Sequence, residues 1–193
     1  MNNQLDILAL SGSLRAGSFN AKILSAARAL VPVGAAIEIY DYRDVPLYDG
    51  DVEETAYPEA AARLKDRIRR ADALLIATPE YNFSVPGVLK NALDWASRPY
   101  GDSALAGKPL AIIGGGGGQG TNRAQDHLRQ IAHGLDMHLV RRPEIFVANV
   151  WTKFDAAGEL ADPAARQLVS ELLDNLAGLA LRLRAAADLK TAA

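Results

Sequence analysis

The chain has no cysteine among its 193 residues. Disulfides, thiolate metal sites and a cysteine nucleophile are therefore excluded. Aromatic residues make up only 6% of it. The formal net charge is -2, from 21 Lys+Arg against 23 Asp+Glu, which gives no support to non-specific nucleic-acid binding. No apolar run approaches the roughly 20 residues needed to cross a bilayer. Met1-Asn2-Asn3-Gln4 lacks both the basic and the long apolar region of a signal peptide, so a soluble, cytoplasmic protein is expected. His127, His133 and His138 are isolated and without metal-ligand spacing; no metal site is expected, and surface or interface places are.

What is present is an ordinary globular balance, 49% apolar and 23% charged, in a chain long enough to bury one good core. Residues 1–193 read as a single domain with no repeat or linker, ending in a frayed tail over 188–193. Strand and helix signals alternate along it. Leu5–Leu10 and Ala73–Ala77 are continuous apolar runs, Ala36–Tyr40 alternates at period two, and Leu110–Ile113 is a fourth run. A fifth strand is expected within Pro143–Val150. Helical spacing covers 21–31, the stretch after Pro58, 85–96, 122–135 and a long segment opened by Asp162-Pro163, an N-cap followed by proline at the first helical position. Asp41–Tyr57 reads as loop, and Arg63–Arg70 as a solvated helix face. Five strands each followed by a helix make an α/β fold, a parallel sheet with both faces covered. Ligands of such sheets bind beyond the carboxyl ends of the strands.

Three loops meet there. The first, Ser11–Asn20, leads from a strand into a helix, and its free N–H groups and helix dipole make an anion site. Hydroxyls, an amide and Arg15 lie in the same stretch, as a phosphate ester requires; the alternative is a helix capped by Ser18 with Arg15 solvated. It is neither a Walker A motif nor G-x-G-x-x-G. The second, Thr78–Gly87, is held extended by Pro79, so the N–H groups after it can face a ligand, and Ser84 is expected to cap the next helix. The alternative is a rigid connector with Tyr81 and Phe83 on the surface. The third, Gly114–Thr121, contains five consecutive glycines and Gly120, which implies positive φ angles or close approach of bare backbone to a flat ligand. The other possibility is a flexible linker. A flavin mononucleotide fits the three: phosphate on the first, ring edge on the second, ring face on the third.

Gly12-Ser13-Leu14-Arg15-x-Gly17-Ser18-Phe19-Asn20, Thr78-Pro79-Glu80-Tyr81-Asn82 and Ser84-Val85-Pro86-Gly87-x-Leu89-Lys90-Asn91-Ala92-x-Asp94-Trp95 together resemble the NAD(P)H-dependent FMN reductases, in particular the chromate and quinone reductase branch. The likeness runs from Leu5 to about Glu144 and takes in Leu105–Pro109 and His127–Gln130. It implies a flavodoxin-like three-layer sandwich with sheet order 2-1-3-4-5, non-covalent FMN, and NAD(P)H as the hydride source. Electrons would pass to a quinone or another acceptor such as flavin or chromate. Ser13, Arg15, Ser18, Phe19 and Asn20 would hold the phosphate. Pro79, Glu80, Tyr81, Asn82, Phe83 and Ser84 would hold the ring, over Gly115, Gly116 and Gly117. Chemistry on the flavin requires no catalytic side chain. The resemblance also implies a homodimer or tetramer, with the helix after the second loop near the interface; Val88, Leu89 and Trp95 are candidate contacts there, the alternative for such an apolar stripe being core. Phe83 departs from the family pattern, where a second tyrosine stands, and Gly114–Gly117 replace threonines or serines. A non-enzymatic electron carrier of flavodoxin type is the competing reading; such carriers are strongly acidic and their phosphate loops are rich in threonine without arginine.

Overall fold

In the computed structural model, which describes residues 4–191, the apolar runs become the strands β1 (Leu5–Ser11), β2 (Ala35–Ile39), β3 (Ala73–Ala77), β4 (Pro109–Gly115), β5 (His138–Leu139) and β6 (Ile145–Val147). All pair in parallel, in the order β2-β1-β3-β4-β5, with β6 also on β4. His138 of β5 lies opposite Pro109 at the start of β4, and Ile145 of β6 opposite Ile113 near its end. The two share the fifth place of the sheet, so the strand expected within Pro143–Val150 is the second half of an interrupted edge. The sheet order is the flavodoxin-like 2-1-3-4-5.

The helices are α1 (Phe19–Ala29), α2 (Gly50–Thr55), α3 (Glu59–Arg70), α4 (Gly87–Ala96), α5 (Asn122–Gly134) and α6 (Pro163–Thr191). Successive strand residues point to opposite faces, and both faces are covered. Ile7, Ala9, Leu75, Ala77, Ala111 and Ile113 pack with Ile23 and Leu24 of α1 and Leu172, Leu173 and Leu176 of α6. Leu8, Leu10, Leu74, Ile76, Leu110 and Ile112 pack with Leu64 and Ile68 of α3, Leu89 and Leu93 of α4 and Leu128 of α5. Each such aliphatic side chain contributes about 1.5–3 kcal/mol on full burial, far more than a surface ion pair, so these two layers hold the molecule together. Asp162 caps α6 as its sequence implies, its Oδ1 accepting from Ala165 N–H at 2.9 Å.

Several expectations need correction. The strands β1 and β4 run on to Ser11 and Gly115, so Gly114 and Gly115 are sheet rather than loop. Asp41–Tyr57 contains α2, capped by Asp49, which buries no residue and so leaves no apolar period to read. Helix α4 begins after Pro86, not at Ser84. The Arg63–Arg70 face is solvated only in part: Arg63, Asp66, Arg69 and Arg70 are exposed, but Lys65 is buried against the Arg98 carbonyl and Asp102, and Arg67 bridges Asp6 and Glu38 at 2.7 Å each. Leu89 and Trp95 are core residues, the Trp95 indole donating to Pro46 O at 2.8 Å, which leaves only Val88 of the three exposed. Helix α6 extends through Asp188–Thr191, part of the expected frayed tail; Lys190 and Thr191 are described in backbone only. Residues 192–193, and Met1–Asn3 from which the lack of a leader was read, lie outside the described residues. Among the described residues, no helix is long and apolar enough to cross a membrane.

Candidate functional site

Beyond the carboxyl ends of β1, β3 and β4 lies a cleft of about 490 Å³. Its first wall is the β1–α1 loop. Ser11 Oγ donates to Ser13 O at 3.0 Å and accepts from Ser13 N–H at 3.3 Å, folding the loop back on itself. Ser18 is the N-cap of α1, its Oγ accepting from Ala21 N–H at 3.3 Å while its carbonyl accepts from Lys22 N–H. The first two helical N–H groups, of Phe19 and Asn20, have no intrahelical acceptor and no hydrogen bond to any described residue. Ser13, Arg15, Ser18, Phe19 and Asn20 all line the cleft. The Asn20 side chain, however, is committed elsewhere: Nδ2 donates to Gly115 O at 3.0 Å and Oδ1 accepts from Gly115 N–H at 2.9 Å. It ties α1 to β4, which leaves its backbone N–H and the second Nδ2 hydrogen for a ligand.

The second wall is the segment after β3. Pro79, Glu80 and Tyr81 line the cleft, and Tyr81 OH lies 3.3 Å from Ser13 Oγ. Asn82, Phe83 and Ser84 do not line it. Tyr81 and Ser84 exchange two backbone hydrogen bonds of 3.0 Å around Asn82 and Phe83, both at positive φ (49° and 66°). This is a two-residue hairpin of the kind that normally carries glycine, and it strains a phenylalanine. Two N–H groups expected to face the ligand are thereby used within the hairpin. Ser84 Oγ pairs with His127 Nδ1 at 2.9 Å instead of capping a helix.

Glu80 is the largest departure from expectation. Its carboxylate accepts from Arg123 Nε at 2.7 Å and from the N–H groups of Arg123 and Ala124 at 3.1 and 3.3 Å. Thr121, the N-cap of α5, makes no side-chain cap bond, so Glu80 caps that helix from another loop. Burial pushes the Glu80 carboxyl up, but the Arg123 guanidinium and the helix N–H groups outweigh it and hold the carboxyl below its ordinary value. The Arg123 guanidinium also lies 4.1 Å from the Phe83 ring centroid.

The floor is the glycine run. A Cβ on Gly114 would clash with Thr121 Oγ1 and the Thr78 carbonyl, and one on Gly115 would come 2.5 Å from Val150 Cγ2. A Cβ on Gly117 or Gly118 would meet nothing within 4 Å. The first glycines are thus required by the protein's own packing; only Gly120 of the run has positive φ (59°). The later ones leave bare backbone at the cleft. Gly115, Gly116 and Gly117 line it, as do four lining residues the sequence reading did not single out: Gln119, Arg123, Val150 and Trp151. Arg123 stands at the first turn of a helix that follows a glycine loop, a signal that could have found it; Val150 and Trp151 come from a distant turn and carried none.

Two guanidinium groups line the cleft. Glu80 neutralises Arg123, whereas Arg15 makes no ion pair with a described residue. The residue with the unbalanced positive charge therefore lines the same cleft as the open end of α1, whose dipole has the same sign. Among the described residues no cluster of His, Cys, Asp and Glu could hold a metal.

The family model for NADPH-dependent FMN reductases matches residues 5–152. An NAD(P)H-dependent FMN reductase of Pseudomonas aeruginosa is 48% identical over 185 residues, covering 95% of this chain and 100% of that protein. An NADPH:quinone oxidoreductase of Arabidopsis thaliana is 45% identical over 186 residues, covering 92% of this chain and 93% of that protein. Among solved structures, FerB, a flavoenzyme NAD(P)H:(acceptor) oxidoreductase of Paracoccus denitrificans, superposes with a TM-score of 0.84 at 33% identity, covering 92% of this chain and 98% of that one. The chain belongs to the NADPH-dependent FMN reductase family.

Proposed function

We propose that the protein is an enzyme that binds FMN without a covalent bond in the cleft above β1, β3 and β4. It uses NAD(P)H to reduce quinones or other small acceptors, among them flavin and chromate. The observation that carries this reading is the pairing, in one cleft, of an open helix N-terminus and an unneutralised Arg15 with a floor where a Cβ on Gly117 or Gly118 would meet only open space. The first half suits a phosphate dianion and the second a flat ring. Ser13, Ser18 and Arg15, with the backbone N–H groups of Phe19 and Asn20, would hold the phosphate. Pro79, Tyr81 and the Gly116–Gly117 backbone would border the ring.

Bound FMN would supply hydride acceptance from the nicotinamide and two-electron delivery to the acceptor. The chain's own work is position and electrostatics. Ser13 and Tyr81 are linked through their hydroxyls, which fixes the phosphate wall against the ring wall. Glu80 acts on the site through Arg123 and α5 as well as from its own place in the cleft lining. No catalytic acid or base is required. Asn82, Phe83 and Ser84, which do not line the cleft, would act on it indirectly, Phe83 through its contact with Arg123. The protein would act as a single domain in the cytoplasm and as a homodimer or tetramer, with Val88 the exposed apolar residue of α4 available to a second copy.

The decisive experiment is anaerobic titration of the purified, FMN-loaded protein with NADPH and with NADH, followed by a benzoquinone. Bleaching of the flavin absorbance by either nucleotide alone, and its return on adding quinone, is the expected result. A flavin that stays oxidised until a partner reductase is added would make the protein an electron carrier. Failure to retain flavin at all would remove the reading.

A further inference from the structure

Trp151 is one of only two tryptophans, and the two are placed in opposite ways. Trp95 is fully buried, its ring against Tyr48 and Tyr57. Trp151 is 56% exposed, lines the cleft, and makes no ring pair or side-chain hydrogen bond with a described residue. The fold nevertheless fixes its backbone firmly. It sits in a 3-10 turn, Val150–Lys153, entered through Asn149 in the left-handed region. Asn149 N–H and Val150 N–H donate to Gly117 O and Gly116 O at 3.0 Å each, and Lys153 Nζ is bound to Asp162 at 2.8 Å. The glycine run is what admits this turn, since a Cβ on Gly115 would collide with Val150. A rigid backbone thus holds an unpartnered indole at the mouth of the cleft.

We infer that Trp151 is a binding platform on which a planar aromatic ring of the second substrate stacks, either the adenine of NAD(P)H or the ring of a quinone acceptor. Large rigid aromatics gain by offset stacking on flat rings, and an indole with no protein partner keeps its face free for one. Placing the platform on a pinned turn means that little ordering entropy is lost on binding. This role presupposes the FMN-dependent reductase, because it concerns the molecule that meets the flavin rather than the flavin itself.

The test is steady-state kinetics of FMN-loaded Trp151→Ala and Trp151→Phe, each substrate varied at saturating concentration of the other. FMN content, read from the visible spectrum, reports that the variants are folded and loaded. Trp151→Ala is expected to raise one KM about five- to tenfold with kcat little changed, and Trp151→Phe to recover most of it. A rise for NAD(P)H, with weaker competitive inhibition by adenosine monophosphate, identifies adenine; a rise for benzoquinone identifies the acceptor. Unchanged KM values for both substrates, or loss of FMN from Trp151→Ala, would overturn the assignment while leaving the reductase intact. A wild type that neither retains FMN nor oxidises NAD(P)H would overturn both.

Discussion

Gly114 shows how one residue type can serve two purposes within a single run. Its missing Cβ makes room for Thr121 Oγ1 and for the Thr78 carbonyl, which is backbone and cannot swing aside. Gly117 has open space in the same direction. Gly114→Ala is therefore expected to destabilise the protein by about 1–3 kcal/mol through overpacking. Gly117→Ala should leave stability within about 0.5 kcal/mol and act on flavin affinity instead. Urea denaturation of the FMN-free proteins, beside flavin binding measured by fluorescence, separates the two effects. Equal destabilisation by both would mean that the run is one continuous structural constraint. In the sequence these glycines look alike. The steric demand on Gly114 comes from Thr121 at the far end of its own loop and from Thr78 just after the neighbouring strand β3, so composition revealed the need for bare backbone but not its cause.

At the scale of elements, the buried strands were the most legible part. Ala73–Ala77 is a strand over the expected residues, because burial on both faces writes itself as an unbroken apolar run. The edge was less legible: β5 and β6 have two and three residues, too few to show a period. The contacts that organise the cleft were the least legible. Asn20 meets Gly115 at a separation of 95 residues, and Glu80 meets Arg123 at 43. Both line the cleft, and the resemblance gives their side chains to the ligand; the fold uses those side chains to join its own elements. Glu80 is the clearest case for measurement. Its carboxyl lies below the ordinary value of 4.5 in the folded state, so it contributes stability that is fully present above that value. The contribution is lost as pH falls through the lower folded-state value. Glu80→Gln should cost about 1–2 kcal/mol at pH 7, tempered by the half-exposed guanidinium of its partner. The difference from wild type should narrow below about pH 4.5. A difference independent of pH would mean that the carboxylate charge has no part in holding α5.

For the whole molecule, the phosphate wall predicts how folding and cofactor are linked. A ligand that binds only the folded state stabilises it by about 2.7 kcal/mol at one hundred times its Kd. For a chain of 193 residues that corresponds to a rise in Tm of roughly 5–11 °C. Arg15 makes no ion pair with a described residue, so Arg15→Ala should leave the FMN-free Tm where it is. With the phosphate bound, its loss removes charge-assisted hydrogen bonds of about 1.5–3 kcal/mol and weakens FMN roughly ten- to one-hundredfold. At the FMN concentration that saturates the wild type, the thermal shift of the variant should then fall to less than about half. Its NAD(P)H oxidation should be lost at stoichiometric FMN and largely restored by excess, because the cleft floor and hairpin are untouched. Retention of the full thermal shift in Arg15→Ala would show that the guanidinium takes no part in binding, leaving the open N-terminus of α1 and its serines to hold the phosphate alone. A fall in the FMN-free Tm would instead make Arg15 a structural residue of the β1–α1 loop.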